Sequence, residues 1–213
     1  MDKLIIILLL LVSGIVQGQT NFEDGMNRGI ELWKQGKTEE ASSLFERIAT
    51  AESESWLPHY YLALVNTTAA FQTRDFVQVS NYLTRAQKAL DKQLAQSPDN
   101  AELLVLQAMV HTAWINFDPM TYGQTLSGKI MQLYGKAEKL APENPRVILN
   151  KAQFEIGSAR FFGSDITPIC AQLERSIDLF DNFKPESQFH PNWGKGQAVE
   201  ILQNCGPSYS NKK

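Results

Sequence analysis

Cysteine, histidine and excess charge of either sign are all scarce in this chain. Its 213 residues include two cysteines, Cys170 and Cys205, and three histidines, His59, His111 and His190. None of the histidines pairs with Cys, Asp or Glu at the spacing a zinc site requires, so no metal is expected, and no cofactor. Twenty basic against 23 acidic residues leave a net charge of −3. That balance lacks the basic footprint that displaces counterions from phosphates, which excludes nucleic acid as a partner class. The nucleophile elbow, the P-loop and HExxH are missing as well. Gly194-Lys195-Gly196 sits in a helix start, without the strand that a phosphate loop needs. Nothing in these patterns marks an enzyme.

Long apolar runs are missing beyond the N-terminus. There, Lys3 precedes an almost wholly apolar stretch from Leu4 to Val16, too short to span a bilayer comfortably. Val16-Gln17-Gly18 supplies small or modest residues at the positions a signal peptidase reads. Residues 1–18 are therefore expected to be a signal peptide, cleaved after Gly18, with an uncleaved anchor as the alternative. No cysteine follows the run to carry a lipid. The mature protein is expected in the periplasm, with no stable membrane anchor after cleavage.

What remains is dense in helix punctuation. Ser97-Pro98-Asp99-Asn100 and Ala141-Pro142-Glu143-Asn144 repeat one phrase. Proline ends a helix because it lacks the amide hydrogen and clashes with the preceding turn, and Asn or Asp caps the next one. A second regularity links small residues on successive helices. Ala41 to Ala63, Ala86 to Ala108 and Ile130 to Ala152 are each 22 residues apart. Groove fillers follow four residues after each second-helix marker, at Phe45, Leu90, Tyr134 and Leu173, on the same helix face. The markers of the last pair are Ala152 and Ile169.

The shortest unit is Gly29–Ile48, where Gly29, Gly36, Ala41 and Phe45 stand at small, turn, small and aromatic positions. With Pro98 and Pro142 closing later units, the pattern resembles the tetratricopeptide repeat (TPR) family over about residues 22–181. The resemblance implies an all-α solenoid of about four helix hairpins, at about 22–53, 57–98, 100–142 and 144–181. It also implies a right-handed superhelix whose concave groove binds proteins or peptides. A capping helix over 192–205 is expected from the apolar series Ala198, Ile201, Leu202, Cys205. A polar tail, 206–213, follows the repeat domain of 19–205.

Within a unit, the step from first to second marker grows from 12 (Gly29–Ala41) to 23 (Ala63–Ala86), 22 (Ala108–Ile130) and 17 (Ala152–Ile169). All the added residues fall at hairpin tips, where solenoid insertions collect. Tip two, 67–80, reads as two lengthened helices. Tip three, 113–128, contains Asp118-Pro119, Gly123 and Gly128 and reads as an irregular loop. Tip four, 157–168, turns at Gly163-Ser164-Asp165.

Two functional candidates follow. Cys170 and Cys205 could bridge the cap to the stack, contributing about 2–4 kcal/mol, or remain two buried thiols. Trp114, Phe117 and Tyr122 of tip three could meet Phe161 and Phe162 of tip four as binding anchors, since aromatics dominate interface hot spots. They could equally be a small core holding the tips down. The expected function is a non-enzymatic scaffold for an unidentified protein or peptide. The alternative is a binder of a small ligand or cell-envelope fragment in an aromatic pocket between tips three and four.

Overall fold

The computed structural model describes residues 21–206; the expected signal peptide and most of the tail lie outside them. Among the described residues there are nine helices and no strand. They are α1 (21–34), α2 (Thr38–Ala51), α3 (Trp56–Phe71), α4 (Phe76–Gln96), α5 (Ala101–Phe117), α6 (Pro119–Leu140), α7 (Pro145–Phe162), α8 (Thr167–Asn182) and α9 (Lys195–Gln203). The first eight form four antiparallel hairpins, and α9 caps the last. The architecture is an all-α solenoid.

The joints between hairpins are identical in length: 52–55, 97–100 and 141–144. In the two proline-containing joints the Asn side chain accepts from the new helix. Asn100 Oδ1 takes the amides of Glu102 and Leu103, and Asn144 Oδ1 takes that of Arg146. These caps satisfy amides that have no partner inside the helix. All length variation falls on the tip side, and the helices absorb it.

Tip three corrects the expectation of an irregular loop. A single residue, Asp118, ends α5 and caps α6, accepting from the amides of Met120 and Thr121. Pro119 occupies the first turn, where its missing N–H costs nothing. Gly123 and Gly128 sit inside α6, and a Cβ at either would touch nothing. Each glycine weakens the helix by about 1 kcal/mol relative to alanine, and the burial of Ile130, Tyr134 and Ala137 outweighs that.

The small markers lie where helices meet. Ala41, Ala63, Ala86, Ala108 and Ala152 are fully buried, with Phe45, Leu90 and Tyr134 beside them. At Gly29 the approach is tighter still, because a Cβ there would lie 2.6 Å from the Phe45 ring. In α8 the register shifts by one position. Cys170, not Ile169, is the fully buried partner of Leu173, and Ile169 is only half-buried. Cys170 and Cys205 form a disulfide between α8 and the end of the cap, with Cα atoms 6.1 Å apart.

Successive first helices touch one another, α3 with α5 and α5 with α7, with no comparable contact between successive second helices. The first helices therefore line the inner face of the curve. Of these, α3 and α5 are apolar on nearly every side, because each is covered by helices on both flanks and by the chain that crosses the inner face.

That crossing chain is 183–193, which joins α8 to α9. Phe183 leaves α8 and lies over the Arg146 guanidinium, 4.3 Å from the ring centre. The chain then reaches back to the first half of the stack. Phe189 is buried, with its ring 5.8 Å from that of Phe22 and its carbonyl accepting from Tyr61 Oη. Burial pushes the Tyr61 hydroxyl up to about 12, so it remains a donor. Trp193, expected within the capping helix, instead lies in this strap and donates Nε1–H to Tyr60 Oη at 2.9 Å. The strap returns at Gly194, whose φ of +113° favours glycine. A Cβ there would also meet Leu149 and Phe180 at 2.8 Å. Lys195 pairs with Asp181 where α9 begins.

Candidate functional site

Three surfaces are candidates: the inner face, a groove at the joint edge, and the hairpin tips. The inner face is covered by the strap just described. Beneath the strap lies an ion pair deep in the fold. Arg146, fully buried, donates through Nε (2.9 and 3.0 Å) and Nη2 (2.6 Å) to the Glu102 carboxylate, which also accepts from Asn144 Nδ2. This ties α5 to α7 and seats Phe183 above them.

The groove at the joint edge has a volume of about 680 Å³ and is walled by Trp56, Glu102, Asn144, Phe183 and His190. It lies at the opposite end of the hairpins from tips three and four, where an aromatic pocket is the sequence alternative. His190 sits between the Trp56 and Phe183 rings, at 5.7 and 5.8 Å, with Nδ1 3.7 Å from the Glu186 carboxylate.

Burial lowers the proton affinity of all three histidines. For His59, Lys92 adds to the effect, and for His111, Lys129 does. For His190, Glu102 and Glu186 oppose the shift and Arg146 adds to it. The folded state therefore favours the neutral rings. Their contribution is fully present above the ordinary histidine value of about 6.5 and is lost as the pH falls through the lowered folded values. Glu155, raised by burial, has the opposite sign. Thermal melts followed by circular dichroism should show a midpoint that is level near pH 7.5 and declines as the pH falls below about 6.5 towards 5.5. A flat profile over that range contradicts the assignment.

The tips carry the exposed apolar side chains. Met120 is 87% exposed, Phe162 75%, Phe161 69%, Val77 63% and Phe76 57%, and among the described residues only Met131 and Leu140 of the other large apolar side chains are also exposed. So, among the described residues, the five most exposed large apolar side chains sit at three tips on one edge. Large apolar side chains left in water along one edge are a common mark of an interaction surface. Phe161 and Phe162 meet edge to face at 5.1 Å, held out by the turn at Gly163, whose φ is +70°. Trp114 and Tyr122, 5.0 Å apart, pack together half-buried across α5 and α6. Phe117 turns towards tip two and meets Phe76 at 5.8 Å. The ring contacts thus join tip three to tip two, and none joins it to Phe161 or Phe162. Phe76, Val77 and Met120 are absent from the sequence-derived candidates. Their signal is a large apolar residue within two positions of a helix cap (Asp75-Phe76-Val77, Asp118-Pro119-Met120).

Around the tips the charges are mixed. Asp75 and Asp118 cap helices, and Asp165 bonds the Thr167 amide and hydroxyl. Arg74 donates to the Asn116 carbonyl at 2.6 Å. Among the described residues, no group of His, Cys, Asp and Glu could hold a metal, and no helix is long and apolar enough to cross a membrane.

No protein-family model and no curated protein matches this sequence. Solved structures do resemble the fold. The haemophore HusA from Porphyromonas gingivalis aligns with a TM-score of 0.76 at 23% identity, over 88% of this chain and 94% of that one. A thermophilic TPR protein from Thermus thermophilus aligns with a TM-score of 0.60 at 15% identity, over 89% and 97%. The chain shares with both the stacked helix-hairpin fold, and that fold serves a haemophore in one of them.

Proposed function

We propose that this protein is an exported, non-catalytic binding protein that captures a bulky, flat, apolar ligand of the haem class on its hairpin-tip edge. The observation that carries the reading is the set of exposed Phe76, Val77, Met120, Phe161 and Phe162 side chains at three tips. A tetrapyrrole presents two wide apolar faces, which exposed rings and a thioether can cover while gaining the area-dependent stabilisation of leaving water. The half-buried Trp114, Phe117 and Tyr122 would support that surface from behind. The likeness to a haemophore over nearly its whole length supports the ligand class. The apolar segment Leu4–Val16 supports export, with the periplasm as destination.

A protein or peptide partner is the second reading, favoured by the TPR likeness. The strap already covers the inner face, so such a partner too would meet the tip edge.

Hemin titration followed in the Soret band tests the proposal. Wild type should bind, and Phe161→Ala/Phe162→Ala should bind at least about tenfold more weakly, corresponding to about 1.4 kcal/mol. Those two side chains are exposed, so the melting temperature should barely move. Absence of hemin binding by wild type, or equal binding by the variant, overturns the reading. If tip substitutions abolish capture of a protein instead, the second reading stands.

A further inference from the structure

Solenoids are quasi-one-dimensional: each repeat touches only its neighbours, so the curve can flex and the stack can open from an end. Among the described residues, the strap departs from that rule. The strap leaves the fourth hairpin at Phe183, contacts the first and second, and returns to the fourth at Gly194. Its contacts span 128 residues (Tyr61 to Phe189) and 133 residues (Tyr60 to Trp193). On the outward side it is held by Phe183 over Arg146. At the far end Phe189 and Pro191 are buried, and His190 faces Trp56 of α3. Residues 184–188 between these anchors are exposed. The return end is held by α9, whose following Cys205 is disulfide-bonded to Cys170 of α8. Both ends of the strap are therefore fixed to hairpin four while its middle grips hairpins one and two.

We propose that residues 183–193 are a built-in clamp that holds the curvature of the stack and thereby sets the spacing of the hairpin tips. A tether across the inner face is a chord of the curve. With the chord in place the first helices cannot spread, and with it released each joint is free to rotate slightly. The tips project from the same helices, so a change of curvature at the inner face moves Phe76, Met120 and Phe161 relative to one another. A ligand covering several tips binds best at one spacing. Ligand capture at the edge is then coupled to the strap, a consequence that rests on the tip-edge reading. The clamp itself does not depend on that reading.

Phe189→Ala/Trp193→Ala removes the two far anchors and touches no tip residue. Three measurements on the full chain decide the matter: amide hydrogen exchange, small-angle X-ray scattering and hemin titration. The expected result is faster exchange of 183–193 and a larger radius of gyration, with α2–α8 still protected. Hemin affinity should fall about fivefold, the low end of ordinary coupling between sites. Should the double variant fail to fold, the milder Phe189→Leu/Trp193→Phe keeps buried carbon in place. It loses the ring edge against Phe22 and the indole N–H to Tyr60, and should shift the same readouts in the same direction. A strap that exchanges freely with unchanged scattering overturns the clamp. Expansion with unchanged hemin affinity overturns the coupling. If wild type does not bind hemin, the tip-edge ligand reading falls, and scattering alone judges the clamp.

Discussion

Glu102→Ala is expected to cost about 3–5 kcal/mol of folding stability, because it strands a buried charge. Arg146 is wholly out of solvent, and its Nε and Nη2 bonds all go to that one carboxylate. Burying an ionised group without a partner is among the most expensive single events in a fold, and here the Phe183 ring would be the main compensation left. Domains of this kind have only about 5–15 kcal/mol in total. Urea denaturation at pH 7 reads the loss directly. The pair itself is not worth that much. Its desolvation offsets most of its attraction, so Glu102→Leu/Arg146→Met, which removes both charges, should recover most of the stability. A cost below about 0.5 kcal/mol for Glu102→Ala, the range of an ordinary surface change, would show that the guanidinium is hydrated, and would sink this account. The same substitution should loosen the strap, since Phe183 rests on Arg146.

Phe45→Ala should also cost about 3–5 kcal/mol, through lost burial and the cavity left behind. The ring is fully buried and stacks on Tyr61 at 5.4 Å with 20° between planes, while its other edge fills the space that Gly29 leaves open. The two positions are therefore one unit. Gly29→Ala brings a methyl to 2.6 Å from the ring, and the ring cannot retreat because Tyr61 stands behind it. Overpacking of that kind costs about 1–3 kcal/mol, against about 1 kcal/mol gained from better helix propensity. The net sign is destabilising. In a double-mutant cycle, Gly29→Ala should become neutral or favourable once Phe45 is leucine, giving a coupling energy above about 0.5 kcal/mol. Equal effects of Gly29→Ala in the two backgrounds would show that the groove is slack. Chemical denaturation of the four proteins supplies the test.

These sites differ in how visible they were in the sequence. Gly29 and Phe45 announced themselves because a close helix contact needs a small residue and a plug at fixed spacing. The joints did so too, because Pro98-Asp99-Asn100 and Pro142-Glu143-Asn144 carry their own stop and cap. Tip three misled for the same local reason. Gly123, Gly128 and Pro119 are breakers by propensity, but Pro119 falls in a first turn and the glycines face open space, so packing of α6 against α5 overrides them. In α8 the register was off by one, because Ile169 and Cys170 are both apolar and only the neighbouring helices choose between them. At the tips, Trp114, Phe117 and Tyr122 were legible as an aromatic group, but their grouping was not. Phe117 turned to Phe76, and Phe161 and Phe162 stayed with each other.

By itself, then, the sequence determined the helix hairpins, their constant joints, the edge on which length was added and the presence of a cap. Each of these is written in contacts a few residues apart, where helical period, caps and breakers act. Only the tertiary structure decided that 183–193 crosses the inner face, that Glu102 and Arg146 meet beneath it, and which tip side chains remain in water. Those facts depend on groups 44 to 133 residues apart, held together by the curvature of the whole stack. An irregular segment such as the strap has no period through which its destination could be read.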